Sequence, residues 1–163
     1  MRMQLYLLRH GPAQSRLEWK GPDSERPLTD RGIKVTRRVA ARMAALGLQL
    51  DAVLTSPYVR ALETARIVTD SLDSPDILIS EPGLEPDRLS RGELQRIISD
   101  HPDAASLMLV GHEPSMSRVT ADVIGGGRMH LRKSGLIRID LPEPMTLQGE
   151  LVWLAAPKLL SDS

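Results

Sequence analysis

The chain has 163 residues and a mass of 18.0 kDa, which is the size of one domain, and its 21 basic residues balance 21 acidic ones. This neutrality argues against a nucleic-acid-binding or membrane-surface module, and the absence of cysteine excludes disulfides, iron–sulfur clusters, thiolate zinc sites and cysteine nucleophiles. No apolar run approaches the roughly 20 residues of a membrane span, and the N-terminus lacks a signal-peptide core. We therefore expect a single cytoplasmic domain over residues 1–163.

Two features of the composition concern possible ligands. Arginine supplies 17 of the 21 basic residues, and its planar fork fits phosphate and carboxylate oxygens. A genomic preference for arginine codons explains this count at least as well, so the count alone decides nothing. Aromatic residues make up only 2% of the chain, which argues against a surface that stacks nucleic-acid bases.

The first quarter of the chain predicts a strand, a loop and a helix. Gln4–Leu8 is a short apolar run, typical of a buried strand, and glycine and proline interrupt residues 12–28, which predicts a loop. Thr29 is the predicted N-cap of a helix that stops near Gly47. The apolar face of this helix is predicted to contain Val39, Met43 and Leu46.

The middle of the chain repeats the alternation of strands and helices. Ala52–Leu54 predicts the second strand, and Ser56 and Pro57 predict the cap and first residue of the next helix. Ile77–Ile79 predicts the third strand. After the proline-rich segment 81–86, a third helix is indicated by the apolar residues Leu94, Ile97 and Ile98.

The last third predicts three more strands and one helix. Leu107–Val110 is the fourth apolar strand, and the helix that follows breaks at Gly125–Gly127. Apolar and charged residues alternate from 137 to 141, which predicts a strand with one face in water, and Glu150–Leu154 predicts the last strand. The expected fold is α/β and three-layered, with a mainly parallel sheet, helices on both faces and an antiparallel edge.

Basic and histidine residues follow three of the predicted strands. The first strand ends in Arg9-His10-Gly11, the second leads through Ser56-Pro57 to Arg60, and the fourth ends in Gly111-His112. In an open parallel sheet, ligands bind outside the carboxyl ends of the strands, where helix N-termini favour anions. The sequence therefore predicts a phosphate site at this edge.

These residue types suit phosphoryl transfer. Arginines can hold and neutralise the phosphoryl oxygens, and a neutral histidine, with an ordinary pKa of about 6.5, can attack phosphorus. The nearby arginines would lower that pKa further. No two histidines have the spacing of metal ligands, so neither a metal nor another cofactor is expected; His101 is predicted to be structural or on the surface, and a structural role is favoured for His130.

The ordered set of motifs resembles the histidine phosphatase superfamily, also called phosphoglycerate mutase-like. The resemblance rests on Leu8-Arg9-His10-Gly11, on Ser56-Pro57 with Arg60-Ala61 and Thr64-Ala65, and on Gly111-His112. The short length and the segment Arg26-Pro27-Leu28-Thr29 are most similar to the SixA-type phosphohistidine phosphatases. The resemblance implies that His10 is the transiently phosphorylated nucleophile. It also implies that Arg9, Arg60 and His112 complete the phosphate pocket, with backbone N–H groups near Gly11 and Glu113.

The general acid of the larger family members has no clear counterpart here. Glu85, between two prolines, is the nearest match, with Glu81 behind it, and a solvated loop carboxylate is an equal alternative. An alkoxide leaving group needs a proton during cleavage, whereas a phosphoimidazole can be protonated on its other nitrogen and leave as neutral imidazole. A poorly defined acid therefore favours cleavage of an N–P bond.

The segment between the third and fourth predicted strands bears on the substrate. Its roughly 25 residues must include a helix and leave little chain for a lid, so the pocket is expected to be open. The resemblance implies a histidine-containing phosphotransfer domain of a two-component relay as the partner, with Trp19 and Tyr58 either contacting it or packing internally. The alternatives are a phosphatase of small phosphate monoesters or sugar phosphates, and a phosphate-binding module without turnover.

Overall fold

The structure, a computed structural model, describes residues 2–160; Met1 and residues 161–163 of the predicted domain lie outside this range. The strands are β1 (Met3–Arg9), β2 (Ala52–Thr55), β3 (Leu78–Ser80), β4 (Ser106–Gly111), β5 (Leu136–Leu141) and β6 (Glu150–Ala155). The helices are α1 (Asp30–Ala45), α2 (Val59–Ser71), α3 (Arg91–Ser99), α4 (Ser115–Ile124) and α5 (Pro157–Leu160). None of the helices in this range is long and apolar enough to cross a membrane.

The described strands form one sheet in the order β3-β2-β4-β1-β5-β6. β3, β2, β4 and β1 run parallel, whereas β5 is antiparallel to β1 and β6 is antiparallel to β5. The register places Arg9 opposite Gly111 and Thr55 opposite Val110, so β1, β4 and β2 end side by side. The predicted α/β fold, with its mainly parallel sheet and antiparallel edge, is confirmed.

Both faces of the sheet are covered by helices, because alternate residues of each strand point to opposite faces. One apolar cluster joins the odd-numbered leucines of β1 and β4 to Leu94 of α3 and Met116 of α4. The other joins Leu8 and Val110 to apolar residues of α1, α2 and α5. The two clusters and the sheet between them make the three predicted layers.

The caps of α1 and α2 differ in how well local sequence predicted them. Thr29 Oγ1 accepts a hydrogen bond from the Gly32 N–H at 2.9 Å, as expected of an N-cap. For α2 the helix is present, but its predicted cap and first residue, Ser56 and Pro57, were wrong, because the helix begins at Val59 and its N-cap is Tyr58. Ser56 is fully buried at the carboxyl end of β2, where its hydroxyl contacts a histidine of the site described below.

Two predictions about exposed and buried faces were also wrong. Leu46 is 51% exposed, because α1 ends at Ala45 and Leu46 lies beyond its packed face. Asp140 of β5 is buried instead of facing water, because the side chains of Arg2 and Arg138 lie against its carboxylate. Its carboxylate accepts hydrogen bonds from Arg138 Nε at 3.0 Å and from Arg2 Nη2 at 2.8 Å, which compensates its charge.

Candidate active site

The carboxyl ends of β1, β2 and β4 bring the predicted residues together. His10 directly follows β1, His112 directly follows β4, and Arg60 is the second residue of α2. The rings of His10 and His112 lie 5.2 Å apart between centroids. These three side chains and Arg9 line a cavity of about 490 Å³. The convergence predicted from three separate strand ends is therefore present.

Local hydrogen bonding determines which nitrogen of His10 is free. Nδ1 lies 2.7 Å from the carbonyl oxygen of Gly11. A carbonyl oxygen only accepts hydrogen bonds, so Nδ1 carries the proton and the lone pair is on Nε2. Burial lowers the pKa of His10 to about 3, and repulsion from His112 and the two arginines acts in the same direction. The ring is therefore neutral at pH 7 and can act as a nucleophile through Nε2.

His112 is held by a residue that sequence reasoning assigned to another role. Its Nε2 lies 2.9 Å from Ser56 Oγ, whereas its Nδ1 has no partner among the described residues. Burial lowers the pKa of His112 to about 3, with the charge of Arg60 contributing. The ring of Tyr58 packs edge-on against it, 5.4 Å between centroids. Ser56 and Tyr58 together fix the orientation of this imidazole.

The two arginines are anchored by their terminal nitrogens. Arg60 is 1% exposed, and its Nη1 and Nη2 donate to the carbonyl oxygen and carboxylate of Asp23 at 2.9 and 3.2 Å. Arg9 Nη1 donates to the carbonyl oxygen of Leu131 at 2.9 Å. Asp23 was not predicted, because it lies 37 residues from Arg60 in a proline-bounded loop without a motif.

Unpartnered polar atoms mark this cavity as a ligand site. Among the described residues, three buried side-chain nitrogen or oxygen atoms have no hydrogen-bond partner, namely Arg9 Nε, Arg60 Nε and His112 Nδ1. Buried polar atoms are normally satisfied, so an exception needs an explanation. All three belong to one pocket, and the two arginine Nε atoms can only donate. The pocket therefore offers donors suited to an anion with several acceptor oxygens.

Gly11 allows the end of β1 to pack closely against α1. A Cβ atom built at Gly11 would lie 2.4 Å from Thr36 Oγ1. The Gly11 N–H donates to Thr64 Oγ1 at 3.0 Å, so this predicted phosphate-binding group already has a protein partner. Thr64 belongs to the motif quoted above, and its hydroxyl in turn donates to the Arg60 carbonyl oxygen. This bond ties the start of α2 to the loop that follows β1.

The candidate acids occupy three different positions. Glu85 does not line the cavity, and its Oε2 lies 3.7 Å from Arg88 Nη1. Glu81 bonds the Gly83 N–H and Arg96, which is a structural role. Glu113 lines the cavity, but its carboxylate accepts from the backbone N–H and the hydroxyl of Ser117.

Asp87 also lines the cavity, and sequence reasoning did not consider it. Its carboxylate forms no hydrogen bond or ion pair with the described residues. Its φ of 63° lies in the left-handed region, which is uncommon outside glycine. The neighbouring proline does not reveal this geometry, so the sequence carried no signal for Asp87.

The two predicted substrate-contact aromatics are not equivalent. Tyr58 lies at the site, with the Arg60 guanidinium 5.1 Å from its ring centroid. Trp19 lies outside the cavity, and its Nε1 donates to the carbonyl oxygen of Pro22 at 2.9 Å.

Of the other histidines, His101 lies in a small apolar pocket with Met3, at the opposite end of the sheet. His130 lines a second cavity beside the site. Within residues 2–160, no three histidine or acidic side chains are grouped as a metal site.

Comparison with known proteins shows which family this chain resembles. The model of the histidine phosphatase superfamily (branch 1) matches residues 5–85. Phosphohistidine phosphatase SixA of Escherichia coli is 30% identical over 76% of this chain and 76% of that protein. An uncharacterised protein of Picosynechococcus sp. is 37% identical over 97% of this chain and 99% of its own length. A solved structure of the protein histidine phosphatase SixA with tungstate has a TM-score of 0.86 at 26% identity, covering 98% of this chain and 100% of that one.

The sequence similarity extends over residues that the structure brings together in the cavity. The family model covers the strand end that carries His10 and the helix start that carries Arg60. The similarity to SixA extends over most of both chains, at the level of sequence and of fold. The chain therefore belongs to the histidine phosphatase superfamily, and within it this protein is a SixA-like phosphatase, a hydrolase of phosphorylated substrates.

Proposed function

We propose that this protein is a metal-independent phosphohistidine phosphatase that acts on a phosphorylated partner protein. The observation that carries the proposal is the neutral His10, whose Nε2 lone pair is free in a pocket of unpartnered donors. Arg9 and Arg60 supply fixed positive charge, so charge on the phosphoryl oxygens can be neutralised by side chains alone. The SixA relative and the tungstate-bound SixA structure support the same substrate class.

The first chemical step forms the phosphoenzyme. His10 Nε2 attacks phosphorus in line with the leaving group, the Nε2–P bond forms and the substrate N–P bond breaks. The substrate imidazole keeps the electron pair of the broken bond and leaves neutral, because its other ring nitrogen carries a proton. The Nε–H groups of Arg9 and Arg60 are donors available to the phosphoryl oxygens, and His112 Nδ1 is a third donor in the tautomer in which the Ser56 hydroxyl donates to His112 Nε2.

The second step returns the enzyme to its starting state. A water molecule attacks the phosphorus of phospho-His10, the P–Nε2 bond breaks, and inorganic phosphate leaves. Through both steps the Gly11 carbonyl oxygen accepts from Nδ1–H, which keeps the ring in one tautomer and stabilises the positive charge it gains when phosphorylated.

The carboxylates near the site support an N–P substrate over an ester. Glu113 is occupied by Ser117, and Glu85 lies outside the cavity, so neither is placed as a free acid. A phosphohistidine has the lesser need for one, since imidazole leaves as a neutral molecule. The phosphoryl donor we propose is a histidine-containing phosphotransfer domain, whose exposed phosphohistidine can enter an open pocket.

Asp87 favours a second candidate, a phosphatase of small phosphate monoesters. Its carboxylate lines the cavity and is unpaired among the described residues, so it could protonate an alkoxide leaving group. Under this alternative, Asp87→Asn slows ester hydrolysis by about 10²-fold or more and Glu85→Gln does not. Under our proposal, hydrolysis of phosphohistidine changes little in either variant.

The deciding experiment compares substrates in the presence of a metal chelator. Purified protein is incubated with a phosphohistidine-carrying phosphotransfer domain and with small phosphate esters, and phosphate release is measured. We expect faster release from the phosphohistidine protein, its loss in His10→Ala, and no loss in the matched control His101→Ala. Preference for esters by the wild type, or undiminished release by His10→Ala, would overturn the proposal.

A further inference from the structure

A second cavity, larger than the catalytic one, adjoins the phosphate pocket. Its volume is about 950 Å³, compared with about 490 Å³ for the catalytic cavity, and Arg9 and Lys133 line both. Its walls come from α1, from the loop before β5 and from the C-terminal segment that contains α5. We call it the cationic groove, because six described side chains that line it are positively charged: Arg9, Arg31, Arg38, Arg132, Lys133 and Lys158.

The charged side chains of the cationic groove have no ion-pair partner in the described part of the chain. No carboxylate from residues 2–160 lines it. Its lysines and arginines form no ion pair with any described acidic residue, although elsewhere Arg96 alone contacts three. Burial and the positive charges of Arg9, Arg26 and Arg16 lower the pKa of Lys133. Like charges gathered in this way repel one another, and a polyanion would relieve the repulsion.

The shape and lining of the groove fit a protein surface better than a single small anion. Arg31 and Arg38 are two helical turns apart on α1, about 10 Å along its axis, and Lys158 lies on another wall. One phosphate would engage only part of this span. Apolar side chains lie among the charges, including Leu159, which is 77% exposed. Apolar contacts beside charged ones are typical of protein interfaces.

We propose that the cationic groove binds an acidic surface of the protein that carries the phosphohistidine, beside the phosphorylated side chain. The proposal rests on the phosphohistidine phosphatase function proposed above. Because Arg9 and Lys133 line both the groove and the catalytic cavity, the two are neighbours, and a partner whose phosphoryl group reaches His10 extends over the groove. Substrate choice then depends on carboxylates that flank the phosphohistidine, as well as on the phosphoryl group itself.

The test uses two phosphohistidine peptides of equal length, one with aspartate and glutamate flanks and one with asparagine and glutamine flanks. The measured quantity is the ratio of kcat/KM for the acidic peptide to that for the neutral peptide. We expect the wild type to prefer the acidic peptide by about tenfold at low salt and to lose the preference at high salt. The double variant Arg31→Gln/Arg38→Gln brings the ratio close to one.

The matched control is Arg37→Gln/Arg66→Gln, which removes the same charge from exposed positions outside the groove. If the groove is the cause of the preference for the acidic peptide, this control variant keeps that preference. A wild-type ratio of one, a ratio unaffected by Arg31→Gln/Arg38→Gln, or equal losses in both double variants would overturn the inference.

Two further measurements, peptide binding and inhibition by triphosphate, distinguish failure of the groove proposal from failure of the proposed function. If neither peptide is hydrolysed but a small ester is, the proposed function fails, and binding of the unphosphorylated acidic peptide, measured by fluorescence anisotropy, still tests the groove. Tighter binding by the wild type than by Arg31→Gln/Arg38→Gln supports it, and equal binding contradicts it. If inorganic triphosphate inhibits through Arg31 and Arg38 while the acidic peptide is not preferred, the groove is a small-polyanion site and the inference is wrong.

Discussion

At the scale of single residues, the imidazoles of His10 and His112 are oriented by uncharged hydrogen-bond partners. The Gly11 carbonyl oxygen fixes the tautomer of His10, and Ser56 Oγ bonds His112 at 2.9 Å. Such bonds determine which nitrogen faces the phosphoryl group, which a list of catalytic residue types does not specify. The arginines are held by the carbonyl oxygens of Asp23 and Leu131, and Arg60 also by the charged carboxylate of Asp23.

Ser56→Ala tests this positioning role. Without the hydroxyl, His112 Nε2 loses its hydrogen-bond partner and the imidazole ring can rotate. A hydrogen bond of this kind contributes about 1 kcal/mol to holding the ring in place. We expect kcat to fall about 5- to 10-fold while KM changes less, as measured by steady-state phosphate release. Ser56→Thr, which keeps the hydroxyl, should restore most of kcat. Equal activity of the alanine variant and the wild type would show that Ser56 does not position His112.

At the scale of elements, the site depends on close approach between α1 and the segment that follows β1. Gly32 lies in the first turn of α1, and a Cβ atom there would lie 2.0 Å from the carbonyl oxygen of Pro12. Gly92 in the first turn of α3 has open space instead, with Ser90 Oγ at 3.9 Å as the nearest atom. The same residue type therefore has different roles in the two helices.

Substitution of these two glycines gives opposite expected effects. Alanine usually stabilises a helix by about 0.5–1 kcal/mol relative to glycine, and we expect Gly92→Ala to have an effect of this size and sign. Gly32→Ala should lower the free energy of unfolding by about 1–3 kcal/mol, because backbone must move to admit the methyl group. Urea denaturation measures both, and stabilisation by Gly32→Ala would contradict the packing described here.

At the scale of the whole molecule, the formal net charge is zero, but the positive and the negative side chains lie in different regions of the surface. Positive side chains gather at the catalytic edge and along the cationic groove, whereas many carboxylates are paired elsewhere, as in the Glu81, Glu93 and Asp100 contacts of Arg96. The local field at the site therefore differs in sign and size from what net charge suggests.

Burial of two neutral histidines predicts that stability falls in mild acid. His10 and His112 are 7% and 3% exposed, and the pKa of each is lowered to about 3. In the unfolded chain each titrates near 6.5, so below that pH the unfolded state takes up protons that the folded state does not. Stability is retained above pH 6.5 and is lost as the pH falls from 6.5 toward 3, by about 1.4 kcal/mol per pH unit for each histidine.

Urea unfolding between pH 7 and pH 5.5 checks this dependence, in a window more than one pH unit above the ordinary pKa values of aspartate and glutamate, about 3.9 and 4.3. The control is the double variant His10→Asn/His112→Asn, which lacks both groups and should show a much flatter profile. A wild-type profile that is flat, or one that the double variant reproduces, would show that these histidines are not held neutral.

Much of the fold and half of the site could be predicted because the signals are local. Apolar runs, and the residues that end them, located each described strand to within about two residues. Arg9, His10, Arg60 and His112 could then be placed, because each lies at or shortly after the end of one of these strands. Errors occurred where tertiary contacts compete with local preference, as when Ser56 bonds His112 and Tyr58 takes the cap position. Asp140 is buried for a similar reason, because Arg2, 138 residues away, reaches its carboxylate.

The sequence by itself therefore determined the alternation of strands and helices, and with it the parallel sheet at whose edge His10, His112 and two arginines meet. This followed because strand periodicity and the residues that end each strand are properties of short segments. Only the tertiary structure decided which side chains hold and surround the histidines and arginines of the site. Asp23 reaches Arg60 across 37 residues, Ser56 reaches His112 across 56, and the cationic groove joins α1 to the C-terminal segment. Contacts over such separations depend on how the layers pack, for which no short segment of sequence carries the information.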